Sequence, residues 1–290
     1  MVDCAAMATS AEASPARRDA ESAFSSLRNA VRRHANLTRE LAITQFKLKY
    51  TGSVLGYLWS LFKPMMNFAI LWVIFDKLFH LSKGTDRYVL QLLTAIVLFT
   101  FFQETTMGAM NSIASNGNMI RKAYFPRVVL VIAATLSSLL TFLINMSLIV
   151  IIASPLHQLT LGWQTLLMPL FLIELYALVL GVSMLLSSLF VFYRDLGHIW
   201  EISMQLLIYG SAVMFPISLL NKQWQQTILL SNPVAQIIED VRHTLVTTGV
   251  PWSAGVMHWM YLIPLGIVAG SVWLGFTVFN RLTPRFAEYL

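Results

Sequence analysis

The sequence has few charges and almost no cysteine. Only 12% of its 290 residues are Asp, Glu, Lys or Arg, about half the share of an average soluble protein. Hydrophobic residues make up 57% of the chain, so too little polar surface is present to cover a water-soluble fold. Cys4 is the single cysteine, which excludes an intramolecular disulfide framework and a cysteine zinc site. The composition excludes a soluble multi-domain enzyme and indicates an integral membrane protein.

Sequence motifs for catalysis are also missing. No GxxxxGK[ST] motif occurs, so the chain lacks the loop that binds nucleotide phosphates in many ATPases. HExxH, CxxC and GxSxG are absent, and the six histidines are scattered along the chain. We therefore expect no catalytic site, no metal and no cofactor bound by this chain itself.

What the sequence has is long apolar runs. A transmembrane helix needs about 20 such residues, and the runs predict an all-α membrane protein with six spans. The predicted spans are 57–81, 88–110, 128–153, 164–192, 199–219 and 259–280. With the N-terminus inside, 15 of the 20 Lys and Arg residues fall on the cytoplasmic side. Positive charge concentrates on that side of membrane proteins. This predicts both termini in the cytoplasm and explains the pI of about 9.5 without nucleic-acid binding.

The N-terminal region divides into two parts. Residues 1–22 are rich in Ala and Ser and without aromatics, which predicts a disordered cytoplasmic tail. Residues 23–52 predict a basic amphipathic helix, followed by the membrane domain at 53–290. The apolar stripe of the amphipathic helix consists of Phe24, Leu27, Val31, Leu41 and Leu48. Such a helix next to a span can lie in the headgroup layer and contact a partner, or it is simply a basic helix without one.

Residues 222–246 predict two short helices before the last span. Asn232 is a good N-cap, and Pro233 suits the first helical position. At about 12 residues, the second helix is too short to cross a bilayer. We expect a re-entrant pair that dips into the outer leaflet, with an amphipathic surface loop as the alternative.

Three acidic residues fall inside or near the predicted spans, at Glu104, Glu174 and Glu201. Because a charge is costly in lipid, such residues often mark function, such as a proton or cation relay or a contact to cargo. These three have no basic residue beside them in the same spans. We therefore favour carboxyl groups that hold helices together.

Two polar cytoplasmic segments stand between the spans. In Asn111–Arg127, the Asn116-Gly117 pair predicts a turn, and the following residues predict a short helix that ends at Pro126. Tyr193-Arg194-Asp195 predicts a second, tighter turn. A short amphipathic helix on a cytoplasmic loop suits contact with a soluble partner.

Together with two further stretches, these segments resemble a known family. The four stretches are Lys47–Pro64 (KLKYTGSVLGYLWSLFKP), Asn118–Arg127 (NMIRKAYFPR), Phe192–Trp200 (FYRDLGHIW) and Ser231–Leu245 (SNPVAQIIEDVRHTL). In combination they are similar to the permease subunit of type-2 ABC exporters of polysaccharides, the Wzm-like and TagG-like proteins. Those proteins export O-antigen, teichoic acid, capsule or galactan. The resemblance covers about 45–285.

The resemblance implies a partner and the residues that contact it. Two copies would pair with two ATP-binding subunits, which hold the ATP and Mg²⁺, in the bacterial plasma (inner) membrane. The principal coupling helix would comprise Asn118, Met119, Arg121, Lys122, Tyr124, Phe125, Pro126 and Arg127. The second contact would be the Tyr193-Arg194-Asp195 turn.

The implied cargo is a lipid-linked glycan. Aromatic rings suit the apolar faces of sugars, and six aromatics are candidates for the translocation path, although core or lipid packing also explains them: Trp72, Phe75, Phe99, Phe102, Tyr209 and Phe215. Lys49, Lys63 and Arg281 are candidates for the phosphate of the lipid linker, although snorkelling to the interface also explains their position.

Three other functions are open at this point. The first is an ATP-dependent exporter of a small lipophilic compound with the same fold. A proton-coupled secondary transporter would use Glu104, Glu174 and Glu201. A membrane enzyme acting on polyprenyl phosphate would need paired acidic or metal-binding residues, which the sequence lacks.

Overall fold

The computed structural model describes residues 15–51, 56, 58–78, 80, 87–122, 125–155, 159 and 162–289, and this part of the chain is built from helices. Their bounds are α1 Pro15–Tyr50, α2 Leu58–Trp72 with a π-helical continuation Val73–Leu78, α3 Tyr88–Asn111, α4 Gly117–Lys122, α5 Val128–Ala153, α6 Met168–Phe190, α7 Leu196–Gly210, α8 Lys222–Ser231, α9 Pro233–Leu245, α10 Ser253–Met257, α11 Leu262–Leu282 and α12 Phe286–Tyr289.

Five helical segments of the described chain are long and apolar enough to cross a membrane. They are Leu58–Lys77, Tyr88–Arg121, Val128–Ala153, Trp163–Phe190 and Ser253–Arg285. These segments coincide with five of the six spans that the apolar runs predict. The predicted helical architecture is therefore confirmed for the described residues, with five helical segments that are candidates to cross a membrane.

The remaining predicted span, 199–219, is not one continuous helix. Helix α7 has 15 residues and ends at Gly210, so it is about 22 Å long, against about 30 Å for a bilayer core. Beyond it, Ala212 has a positive φ of 50°, and Pro216 has no N–H to continue a helix. The apolar composition of 211–219 misled the prediction, because hydropathy does not register a break in the backbone.

Helix α1 begins at Pro15, eight residues before the predicted start at 23, so the prediction of a disordered tail is wrong for 15–22. Proline fits the first helical position, and the Ala, Arg and Glu residues that follow are good helix formers. Residues 1–14 of the predicted tail lie outside the described residues.

The face of α1 that packs on the protein matches the predicted stripe only in part. Helix α1 lies against α5, with Thr38 and Ala42 buried and Leu41 partly buried. Leu48 is 65% exposed. The side chains of Phe24, Leu27 and Val31 lie outside the described residues. Within the described part of α1, the contact face thus combines Leu41 of the stripe with the smaller Thr38 and Ala42.

The main core forms around α3, which contacts α2, α5, α6, α7 and α9. Helix α9 is buried over its whole length. Its N-cap is the predicted one: the Asn232 side chain accepts hydrogen bonds from the N–H groups of Val234 and Ala235, at 3.0 and 3.3 Å. The two short helices α8 and α9 thus have nearly the bounds that the sequence predicts, and α9 lies inside the helix bundle rather than on its surface.

Helices α6 and α11 approach each other most closely at two glycines. A Cβ on Gly181 would lie 2.6 Å from the backbone of Ser271 and Val272, and a Cβ on Gly275 would collide with the Gly181 carbonyl. Small residues let helix backbones meet in membranes. Because backbone cannot move aside as a side chain can, these positions require glycine.

We therefore expect Gly275→Val to destabilise the fold by about 1–3 kcal/mol or more, measured as a lower midpoint of thermal unfolding in detergent. Gly270→Val, on an exposed part of the same helix where no atom lies within 4 Å of the added Cβ, is the matched control. Equal midpoints for the two variants would contradict the close approach.

Candidate functional site

The two predicted cytoplasmic contact segments meet around one hydrophobic cluster. Ile120 of α4 is buried there, next to the start of α5 and the end of α6. Phe279 and Phe286 contribute from the C-terminal region, and their rings lie 5.7 Å apart. Phe192, just before the second segment, stacks edge-on against Tyr289 at 4.8 Å. The C-terminal helix α12 thus joins both segments into one unit.

Arg127 and Phe125 serve as anchors of this unit. An Nη1 of Arg127 donates a hydrogen bond to the Thr283 carbonyl, and its guanidinium lies 5.9 Å from the centre of the Phe286 ring. Phe125 is partly buried against the same cluster. These two predicted contact residues therefore face the chain itself and fix the position of the loop.

The remaining predicted contact residues that are described form an exposed surface, which we call the coupling surface: Asn118, Met119, Arg121, Pro126, Tyr193, Arg194 and Asp195. Tyr193 is 67% exposed, although its neighbour Phe192 is held in the cluster. Arg194 lies 5.5 Å from the Phe190 ring, so its side chain is held at the surface. The side chain of Lys122 and the whole of Tyr124 lie outside the described residues.

A second constellation joins three helices near the start of α2. Glu104 of α3 binds Lys63 of α2 at 2.8 Å and Lys49 of α1 at 3.2 Å. These residues are 41 and 55 positions from Glu104 in the sequence. The isolated acid that the sequence indicated is thus paired with two cations. We call these three residues the Lys–Glu–Lys cluster.

The Lys–Glu–Lys cluster borders a cavity of about 450 Å³, whose other lining residues are Trp59, Ser60, Phe62 and Met66. Two of the three predicted phosphate contacts therefore come together at one site. Arg281 does not join them, because it lies exposed in the last turn of α11.

The six predicted path aromatics do not share one surface. Phe99 and Phe102 are buried in the main core, and Phe102 lies 6.4 Å from Trp200. Trp72, Phe75 and Phe215 are partly buried against that core. Tyr209 is 64% exposed. Within the single chain, five of the six contribute to packing.

The other two acids differ from Glu104. Glu174 is buried, and the Tyr261 hydroxyl donates to it at 3.4 Å. Tyr261 is in turn 3.0 Å from Gln236, which donates to Asp240 at 2.8 Å. Glu201 is exposed. Within the described residues no group of three His, Cys, Asp or Glu is placed to hold a metal ion.

Sequence reasoning missed Arg242, which counted only as an external positive charge. Its guanidinium is 1% exposed and donates to the carbonyls of Ala212 and Val213 at 3.0 and 2.9 Å. It also binds Glu239 at 2.6 Å. Arg242 therefore satisfies the backbone where α7 unwinds. No local signal in the sequence connects it to that segment.

Comparison with known proteins assigns the chain to a family. Residues 36–246 match the model described as ABC-2 type transporter, which is more than half of the chain. The chain belongs to the ABC-2 type transporter family. The match includes the coupling surface and the Lys–Glu–Lys cluster, whereas the C-terminal anchor around Phe286 lies beyond it.

Similar proteins are named for the export of O-antigen or the transport of polysialic acid. The O-antigen export system permease protein RfbA of Klebsiella pneumoniae is 27% identical over 250 residues, covering 84% of this chain and 91% of that protein. A protein of the same name from Myxococcus xanthus is 20% identical over 256 residues, 88% of this chain and 95% of its own length. The polysialic acid transport protein KpsM of Escherichia coli is 23% identical over 209 residues, 71% and 80% of the two chains.

Proposed function

We propose that this chain is the membrane subunit of an ATP-driven exporter that moves a lipid-linked polysaccharide out of the cytoplasm across the bacterial plasma membrane. The relatives named for O-antigen export and polysialic acid transport support this cargo class. The observation that carries the proposal is the coupling surface. Two exposed polar segments from different parts of the chain are anchored to one cluster, in a protein without a nucleotide-binding loop of its own.

The proposed assembly has two copies of this chain and two ATP-binding subunits, which supply ATP and Mg²⁺. Both termini lie in the cytoplasm, α7 and the turn after it form the fifth of six spans, and α8 and α9 form the re-entrant pair. The buried α9 supports this arrangement, since backbone that leaves a helix within a membrane must be enclosed by protein. Helix α7 exposes Ile202, Leu206 and Tyr209, which leaves an apolar face for the second copy or for lipid.

The anchoring of the coupling surface indicates how force passes to the spans. ATP binding closes the partner subunits and pushes on α4 and the 193–195 turn. Ile120 packs in one cluster with Leu130 of α5 and Phe279 of α11. Movement of α4 therefore shifts at least two spans together. Rocking of the spans then opens a path for the glycan.

Affinity purification of the tagged chain in mild detergent, with native mass spectrometry and an ATPase assay, tests this proposal. We expect an ATP-binding subunit to co-elute in a two-to-two complex. A dimer of this chain alone, without ATPase activity even after gentler extraction, would contradict it and would favour a secondary transporter dependent on Glu174. Depletion of the chain should also lead to accumulation of lipid-linked glycan. Drug sensitivity without that accumulation would favour a small lipophilic cargo.

A further inference from the structure

The Lys–Glu–Lys cluster contains two cations and one anion. Two ammonium groups share one carboxylate, and Glu104 accepts from both. The side chains of Lys63 and Lys49 are 68% and 40% exposed, against 24% for Glu104. The cations are thus open to the cavity while their counter-ion lies behind them. A second anion entering the cavity would meet both lysines first.

The cavity is amphipathic, as the junction between the phosphate and the hydrocarbon chain of a lipid is. Its polar side is the Lys–Glu–Lys cluster, and its apolar side consists of Trp59, Phe62 and Met66. The rings of Trp59 and Phe62 meet edge to face at 5.4 Å, and both side chains are about half exposed. A phosphate can be bound by the ammonium groups while an attached hydrocarbon lies on the aromatic side.

Helix α2 is held to the protein by few buried contacts. It buries Pro64 and Leu71, whereas Phe62, Met66 and Ile70 are exposed. The ion pair from Lys63 to Glu104 is one of the contacts that join α2 to α3. A ligand that takes Lys63 from Glu104 weakens that attachment.

Glu104 also borders a second, much smaller cavity. This cavity of about 20 Å³ is lined by both polar and apolar residues, including Thr105, Thr141 and Asn145. The Thr105 hydroxyl is buried and has no hydrogen-bond partner within the part of the chain that is described.

We propose that Lys49 and Lys63 bind the phosphate of a lipid carrier, and that Glu104 is a built-in competitor whose displacement loosens α2 from α3. This inference rests on the proposed function. It adds a contact between α2 and α3 that a ligand controls, the Lys63–Glu104 ion pair, which we call the latch. A phosphate brings more acceptor oxygens and more charge than a carboxylate, so it can hold both lysines at once.

The test is binding to the purified full chain in nanodiscs, read by native mass spectrometry. The probes are a polyprenyl monophosphate, the matched polyprenol without phosphate, and inorganic pyrophosphate. We expect the polyprenyl phosphate to bind in preference to the polyprenol. Lys49→Gln combined with Lys63→Gln should abolish that preference, while Lys222→Gln, an exposed lysine outside the cavity, should retain it.

The Glu104→Gln variant shows whether Glu104 competes with the phosphate for the lysines or instead holds the lysines in position to bind it. With the resident carboxylate removed, the polyprenyl phosphate should bind about tenfold more tightly, the scale of one lost charge-assisted hydrogen bond. Glu201→Gln, at an exposed carboxylate, should leave affinity unchanged. If Glu104→Gln does not fold, Glu104→Asp should give a smaller increase in the same direction. Unchanged or weaker binding in the folded variant would overturn the proposal.

Two further outcomes distinguish this inference from binding of a free phosphate and from the proposed exporter function. Equal binding of polyprenyl phosphate and inorganic pyrophosphate would overturn the assignment to a lipid-borne phosphate. The binding assay needs no ATPase, so it is independent of the co-purification experiment. If the unaltered chain shows no preference for polyprenyl phosphate although the ATP-binding subunit co-purifies with it, the latch alone is overturned. A missing ATP-binding subunit would overturn the exporter alone.

Discussion

Arg242→Met is expected to destabilise the chain by about 3–5 kcal/mol, the cost of removing one partner of a buried ion pair. The guanidinium is almost fully buried and holds Glu239 at 2.6 Å. It also donates to Gln91, Ala212 and Val213 through their carbonyls. Methionine fills similar space but donates nothing. The variant therefore leaves a buried carboxylate and several buried carbonyls without their donors.

The measurement is the thermal unfolding midpoint in detergent, together with the yield of monodisperse protein. Lys222→Met removes an exposed cation and is the matched control. Arg242→Lys should rescue only in part, because an ammonium lacks the planar fork that reaches several carbonyls at once.

A double variant separates the two contributions of Arg242. Arg242→Met with Glu239→Leu removes the whole ion pair, so it should regain the share lost to the unpaired carboxylate. The carbonyls after α7 would still lack donors, so recovery should be incomplete. Equal midpoints for Arg242→Met and Lys222→Met would show that the guanidinium does not hold the break after α7.

The sequence was a good guide wherever local chemistry decides the structure. Apolar runs located five membrane-spanning helices, and the Asn232-Pro233 pair located the start of α9. Propensity for helix in 15–22 was underestimated, because low hydrophobicity was taken as a sign of disorder. Composition alone does not distinguish a solvated helix from a disordered tail.

Features that depend on distant residues were not predictable. The end of α7 at Gly210 is stabilised by Arg242, about 30 residues later. Glu104 looked isolated because its partners come from two other helices. Within the coupling surface, sequence reasoning identified the exposed residues, but not the C-terminal anchor around Phe286 that fixes their position. A single sequence contains no signal for these pairings.

Arg121→Glu combined with Lys122→Glu is expected to abolish export while the fold is retained. Arg121 is exposed on α4, and exposed substitutions usually change the free energy of unfolding by only about 0.5 kcal/mol. At an interface, in contrast, reversing charge places like charges together, which costs several kcal/mol. Stability and function should therefore respond very differently.

The proposed mechanism predicts which functional step fails. Ile120, between the spans and the surface, is buried and untouched, so the internal path from α4 to α5 and α11 remains. Only transfer from the ATP-binding subunit to α4 is impaired. ATP hydrolysis by the purified complex should persist while lipid-linked glycan is retained in the cells. Ile120→Ala should instead lower the unfolding midpoint as well as export.

The control is Lys222→Glu, a charge reversal at an exposed lysine far from α4 in the sequence. It should leave both export and hydrolysis unchanged. Loss of the ATP-binding subunit from the Arg121→Glu, Lys122→Glu complex would mean that α4 provides docking as well as force transfer. Normal export by that double variant would show that export does not depend on the positive charge of α4. It would therefore exclude the coupling surface as the route by which ATP binding moves the spans.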